Sequence, residues 1–410
     1  MSSNIWYVSK YVAPPGSGTA GGRGYLLMKE LAELGHRVSI ITSDSNLLAA
    51  PPHLETGYLF QQVDGIDLCW VRTMKYSVAK SARRILSWLH FEWRLLWLPK
   101  HQLQKPDVVV VSSLSLFTVL NGLMWRVRYK CRLVFEVRDI WPLTITEEGG
   151  FKSSNPFVWG VGLIERLGYK YADAIVGTMP NLGEHVQQVL GYPKRVHCIP
   201  MGVDAAVFVT PEALPAVYED TYFPKGKFVV AHVGSIGITN ALDTFLQCAQ
   251  AMQDQPNIHF LLVGDGDLRE TYRKQYVHLN NLSFGPRVAQ SMVQSVLAKC
   301  DLLYFSVRVS KVWQYGQSLN KVIDYMMAGK PVVASYTGYP SMINEADCGS
   351  YVPAGDVLAL KQEVQRYAGL PEEERLKIGA RGKEWLVANR SYSKLAKQYL
   401  GIMLNKAAQV

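Results

Sequence analysis

Six cysteines in 410 residues are too few, and too widely spaced, to form a covalent framework. Cys69, Cys131, Cys198, Cys248, Cys300 and Cys348 form no CxxC pair, and no Cys/His group lies at metal-ligand spacing. Disulfide scaffolds, zinc modules and dithiol redox motifs are excluded, and a reducing compartment is expected. Charge is also sparse, at 19% of residues against 48% apolar, which excludes disordered and coiled-coil chains. The sequence has no internal repeat and no low-complexity tract. Met1 to Tyr11 lacks a basic segment followed by an apolar run and a small-residue cleavage site, so the expectation is a cytoplasmic protein that stays where it is made. A spanning helix is missing too. Val108 to Trp125 runs 18 residues without a charge, but Ser112, Ser113, Ser115, Thr118, Asn121 and Gly122 break it into a buried strand, a turn and a helix.

β-branched apolar runs alternate with helical patterns along most of the chain. Strands are expected at Ile5–Val8, Val38–Thr42, Ile66–Val71, Val108–Val111, Leu133–Val137, Ala174–Val176 and Val196–Ile199, with helices such as Gly22–Leu34 and Leu116–Arg128 between them. Ala205 to Lys227, with Pro211, Pro215 and Pro224 and no periodicity, reads as a linker. The alternation restarts at Phe228–Val233, Ile258–Val263, Leu282–Phe284, Leu302–Val307 and Pro331–Ala334, and the chain closes in helical pattern at Glu372–Ala388 and Tyr392–Ala407. The expected fold is α/β: two doubly wound, Rossmann-like domains, residues 1–204 and 228–390, with the last helix, 391–410, crossing back to the first. Ligands of such sheets bind beyond the carboxyl ends of the strands, which for two facing domains means a cleft.

The net charge of +9 is concentrated. Arg72 to Pro106 holds eight Lys or Arg against one acid, Glu92, interleaved with Trp88, Phe91, Trp93 and Trp97 among Ile85, Leu86, Leu89, Leu95, Leu96 and Leu98. Cations mixed with Trp and Leu at helical spacing describe a helix lying on an anionic membrane surface. A domain helix with a solvated basic face is the alternative, and no nucleic-acid partner is expected.

Three motifs could carry chemistry. Gly16-Ser-Gly-Thr-Ala-Gly21 matches a dinucleotide fingerprint, but Lys10 to Pro15 separate it from the strand, where a Rossmann turn has its glycines at the strand end. What remains is a glycine-rich helix start, Gly21-Gly22-Arg23-Gly24, that a phosphate or sugar could approach, or a flexible loop. Asp265-Gly266-Asp267 is a literal DxD, equally well read as a turn in which Asp267 caps a helix. The densest segment is Tyr315 to Pro331. Its helix starts near Ser318 or Leu319, with Val322, Ile323, Met326 and Met327 on the apolar side and Lys321 and Asp324 sharing another face. A diphosphate would meet helix N–H groups and the Lys321 ammonium, and Asp324 could accept both hydroxyls of a ribose; a surface Lys–Asp pair is the plainer alternative.

With Leu31-Ala-Glu-Leu-Gly-His-Arg-Val38, Phe135-Glu-Val-Arg-Asp-Ile-Trp-Pro142, Ile199-Pro-Met-Gly-Val-Asp204 and Leu262-Val-Gly-Asp-Gly266, that segment makes nearly the whole chain resemble glycosyltransferase family 4, the retaining GT-B enzymes. The likeness is strongest to the polysaccharide and O-antigen branch, which includes acetamido-fucosyl transferases. The resemblance implies a nucleoside diphosphate sugar, with UDP expected, in the C-terminal domain, and a lipid-linked glycan acceptor in the N-terminal one. It also implies retention of configuration and neither cofactor nor metal. Of the family's paired glutamates, the second position, which binds the donor ribose, holds Asp324, and the first holds Gly316. Donor-sugar contacts are then expected from Gly316, Gln317 and Ser318, with Asn320 beside them.

Beside Gly234, Ser235 and Asn240 stand where relatives place an Arg and a Lys on the donor phosphates, which leaves Lys321 and Arg308 as the expected substitutes. Asp139 and Arg138 are the expected acceptor-activating pair, with a structural ion pair as the alternative, and Glu147 is a further acceptor-side candidate. Three rivals remain: a sugar-nucleotide epimerase using the same donor pocket, a nicotinamide-dependent dehydrogenase built on Gly16 to Gly21, and a membrane-binding protein without catalysis.

Overall fold

The computed structural model describes residues 2–16, 21–46, 51–76, 81–208 and 211–405. Gly18 of the glycine hexad, Lys80 of the basic stretch and residues 406–410 of the final helical pattern lie outside them. Met1–Gly202 and Tyr392–Val410 make one compact unit, and Val203–Ser391 makes a second.

In the first unit, β1 (Asn4–Val8), β2 (Arg37–Ser43), β3 (Tyr58–Val63), β4 (Ile66–Val71), β5 (Val108–Ser112), β6 (Arg132–Val137), β7 (Ala174–Gly177) and β8 (Val196–Cys198) form one sheet. Its order is β3-β4-β2-β1-β5-β6-β7-β8. The central strands read as continuous β-branched runs because both faces are covered: Val108 to Val111 are all buried. The covering helices are α1 (Arg23–Glu33), α2 (Ala82–Leu96), α3 (Thr118–Tyr129), α4 (Leu143–Glu147), α5 (Pro156–Tyr171) and α6 (Leu182–Leu190). One strand departs from expectation. β3 pairs antiparallel with β4 and forms the edge, so the sheet is not wholly parallel.

In the second unit, β9 (Phe228–Val233), β10 (Ile258–Val263), β11 (Leu282–Gly285), β12 (Leu302–Ser306), β13 (Val332–Ser335) and β14 (Gly349–Val352) form an all-parallel sheet in the order β11-β10-β9-β12-β13-β14. Its helices are α7 (Ala216–Tyr222), α8 (Asp243–Ala251), α9 (Arg269–Gln275), α10 (Val293–Ala298), α11 (Asn320–Met327), α12 (Val357–Gly369) and α13 (Glu372–Arg390). The stretch read as a structureless linker therefore contains a helix. Pro215 opens α7, and the Tyr218 hydroxyl donates to the Pro286 carbonyl just after β11, which anchors it in the second unit.

The last helix, α14 (Tyr392–Met403), belongs to the first unit. Leu395, Tyr399 and Met403 share a core with Leu27, Met28 and Leu31 of α1 and with Ile5, Val38, Ile40 and Val110 of the sheet. Glu136 of β6 sits fully buried at its centre. It accepts hydrogen bonds from Arg23 at 2.7 Å, Tyr7 at 2.7 Å and Tyr399 at 3.3 Å. Burial alone would raise the Glu136 carboxyl, but the charges of Arg23 and Arg138, with the hydrogen bonds from Arg23 and Tyr7, together outweigh it and hold the group below the usual carboxylate range.

Candidate active site

Each sheet reverses its strand order at one point, and loops leaving the carboxyl ends there can converge on a ligand. In the second unit that point lies between β9 and β12. Gly234 to Asn240 leave β9, and Arg308 follows β12. The two loops are tied together, with Arg308 N–H donating to the Thr239 carbonyl at 3.0 Å and Ser306 Oγ to the Asn240 carbonyl at 2.6 Å. A third loop packs backbone against backbone: a Cβ on Gly264, which follows β10, would lie 1.8 Å from the Gly234 carbonyl oxygen. Only glycine fits there, at φ +145°, and the approach fixes the path of the Gly234 loop.

α11 delivers the charged pair to this edge. Tyr325 is buried on it, and its hydroxyl accepts from Val233 N–H and donates to Val233 C=O, both at 2.9 Å, pinning the helix to the end of β9. One turn earlier, the Lys321 ammonium donates to Asn240 Oδ1. Burial lowers Lys321 to about 8 and raises Asp324 to about 6. The plainer alternative of a Lys–Asp pair is absent: the two form no ion pair, and the Asp324 carboxylate accepts no hydrogen bond among the described residues. Arg308 is exposed, and its guanidinium likewise has no partner among them.

The structure thus brings Gly234, Ser235, Asn240, Arg308, Lys321 and Asp324 to one strand edge. Gly316 is buried, Ser318 part-buried and Asn320 exposed at the start of α11. Gln317 is a correction. Its side chain is buried, with Oε1 accepting from Leu319 N–H at 3.0 Å and Nε2 directed at the Met342 sulfur, so its amide organises the turn and only its backbone is left for a ligand. Asp267 is another, because the start of α9 has no side-chain cap. Asp265 instead accepts from Gly266 N–H at 2.8 Å, and no group of three or more His, Cys, Asp or Glu able to hold a metal occurs among the described residues.

In the first unit the reversal lies between β1 and β5. Ser113 Oγ, just past β5, accepts from the N–H groups of both Arg138 and Asp139 and fixes the loop after β6. Burial raises the Asp139 carboxyl, opposed by Arg138 and Arg84, and it forms neither ion pair nor hydrogen bond among the described residues. An elevated, unpartnered carboxyl at a strand edge is suited to accepting a proton. Glu147 closes the short α4 nearby in sequence.

Arg23 does not fit its expected role. Its guanidinium is fully buried on Glu136 and on the carbonyls of Ile199 and Pro200, so it holds the core together. Gly22 N–H is also taken, by the Ala13 carbonyl at 2.7 Å.

Sequence reasoning overlooked two groups. Lys10, directly after β1, is buried with its ammonium on Ser43 Oγ and the Ser45 carbonyl, and burial brings it down to about 7. His232 is buried one strand residue before the donor loop, and burial, with the nearby Lys321 charge, pushes it down to about 3, so it stays neutral between two backbone carbonyls. Neither has a local sequence signature.

Two Rossmann-like units, the second carrying a lysine and an unpaired carboxylate at its switch point, define a glycosyltransferase of the GT-B type. Residues 25–207 match the family described as Glycosyltransferase Family 4, and residues 227–369 match Glycosyl transferases group 1. The chain is a glycosyltransferase whose N-terminal part matches the family 4 model and whose C-terminal part matches the group 1 model.

Solved structures agree on the fold. Sucrose-phosphate synthase from Thermosynechococcus elongatus aligns over 98% of both chains with TM-score 0.70 and 16% identity. The E. coli trehalose-6-phosphate structure bound with UDP-2-fluoro glucose covers 99% of this chain and 100% of its own, with TM-score 0.72 and 10% identity. Anabaena HepE in complex with UDP and glucose covers 98% of this chain and 100% of its own, with TM-score 0.62 and 13% identity. No curated protein matches the sequence.

Proposed function

We propose that this glycosyltransferase moves a sugar from UDP to a lipid-linked glycan acceptor at the cytoplasmic face of a membrane. The reaction retains the anomeric configuration, needs no metal and serves O-antigen, lipopolysaccharide or exopolysaccharide assembly. The carrying observation is the Lys321/Asp324 face of α11, part-buried, mutually unpaired and pinned at the switch point of the second unit. Lys321 and the free N–H groups at the start of α11 take the diphosphate, Asp324 takes the ribose diol, and the exposed Arg308 adds charge as the leaving oxygen becomes anionic. Asp139 orients and deprotonates the acceptor hydroxyl. Uridine as the base is supported by the similar folds that were solved with UDP or a UDP-sugar.

A UDP-sugar at a hundredfold excess over its Kd should stabilise the protein by about 2.7 kcal/mol, a shift of several degrees in a panel of nucleotide sugars read by thermal unfolding. EDTA should leave both the shift and turnover intact. A shift that appears only with Mn²⁺ would return a metal to Asp265 and Asp267.

α2 supports the membrane reading. No helix among the described residues is long and apolar enough to cross a membrane. Yet α2 buries Trp88, Phe91 and Leu95 while exposing Leu86, Leu89, Trp93 and Leu96, with Trp97 just beyond its end at 66% exposure. Arg83 is exposed beside them, whereas Arg84 stacks on Trp88 and Tyr11 and is partly structural. Arg83→Glu should therefore cut co-flotation with anionic vesicles about tenfold while leaving thermal stability unchanged. Equal flotation would reject α2 as the contact.

A further inference from the structure

The first unit contains a basic pocket that the donor and acceptor chemistry above does not use. About 510 Å³ in volume, it is lined by Gly57, Arg72, Thr73, Met74, His90 and Arg94, between the carboxyl end of β4 and α2. No carboxylate lines it. Arg72, His90 and Arg94 form no ion pair among the described residues.

Each donor is held in place. The Arg94 guanidinium lies 4.6 Å from the Tyr58 ring centroid, over Gly57, where a Cβ would come within 1.7 Å of Nη2. Its Nε is buried without a hydrogen-bond partner. Arg72 Nη1 is anchored on the Glu55 carbonyl at 3.0 Å. His90 Nδ1 accepts from Met74 N–H at 3.0 Å, so in the neutral ring the proton resides on Nε2, a further donor.

His90 and Arg94 also lie along the seam of α2 between its buried face and the exposed strip of Leu86, Leu89 and Trp93. An anion held here would adjoin an apolar surface, which is the arrangement an amphiphile offers. We propose that this pocket binds the phosphate headgroup of a lipid, the terminal phosphate or diphosphate being gripped by Arg72, His90 and Arg94 while α2 rests on the surrounding acyl surface. The inference rests on the membrane reading of α2 and gives that surface a headgroup specificity.

The test uses the full-length protein and vesicles of matched surface charge, one set containing phosphatidic acid, whose phosphate is terminal, and one phosphatidylglycerol, whose phosphate is a diester. The wild-type protein should float preferentially with phosphatidic acid. Arg72→Gln with Arg94→Gln should lose that preference, with binding to phosphatidic acid falling about fivefold for each cation removed. Stabilisation by the UDP-sugar serves as the folding control and should persist in the double variant.

Equal flotation of the wild type on both vesicle sets, or a preference that survives the double substitution, overturns the headgroup site while leaving the membrane reading standing. Failure to float on either set fails the membrane reading itself. Stabilisation by inorganic pyrophosphate that the double variant loses, without any vesicle preference, would assign the pocket to a soluble anion and overturn the lipid claim.

Discussion

Asp324→Ala should raise the donor KM by about 10²–10⁴, because a carboxylate accepting two ribose hydroxyls contributes roughly 1.5–3 kcal/mol per charge-assisted bond. The same residue predicts an opposite effect on the empty protein. An aspartate has an ordinary value of 3.8, and burial lifts Asp324 to about 6. The folded chain therefore binds the extra proton, so the group favours folding below about pH 4 and that contribution is lost as the pH rises through 6. At pH 8 the bare carboxylate costs up to about 3 kcal/mol. Asp324→Asn should accordingly melt higher than wild type at pH 8 without donor, and no differently at pH 4. A variant that gains stability and loses donor affinity marks a binding group, whereas unchanged donor kinetics would remove Asp324 from the site.

Lys321→Met should lower kcat by about 10²–10³, the usual loss when a preorganised donor to developing negative charge is removed. Lys321 is brought down to about 8 by burial, so its ammonium is lost as the pH rises through that value, and kcat/KM should decline above pH 8. With Asp324 ionising near 6, the profile of the free enzyme is a bell with limbs near 6 and 8. Lys321→Arg separates charge from structure. A guanidinium stays protonated, so the alkaline limb should disappear even where the rate is reduced. An alkaline limb unchanged in Lys321→Arg would place the titrating group elsewhere.

The doubly wound architecture was legible because its central strands are buried on both faces and so appear as unbroken β-branched runs, as in Val108 to Val111. Tyr58–Val63 escaped that rule. As an edge strand it is half-exposed and carries Gln61 and Gln62, although the Asp64-Gly65 turn joining it to β4 was a usable hairpin signal. β14 is only four residues long and opens with Gly349-Ser350. In the site, the i, i+3 spacing of Lys321 and Asp324 at a helix start could be read directly. The partner of Lys321 could not, since Asn240 lies 81 residues away in sequence. Arg23 was misread for the same reason: its position beside glycines suggested a phosphate loop, and its real acceptor, Glu136, is 113 residues distant.

The membership of α14 in the first unit has a consequence for how the protein is made. Tyr399 completes the hydrogen bonding of Glu136, and Leu395 and Met403 fill the core against α1. The first unit therefore cannot close while it is emerging from the ribosome. Its core stays open until residue 403 has been translated, whereas the contiguous second unit, Val203–Ser391, has all its strands and helices earlier. Nascent chains released shortly after residue 391 would hold all of the second unit and a first-unit core still open where α14 packs, and on this protein the segment translated first is the one that matures last.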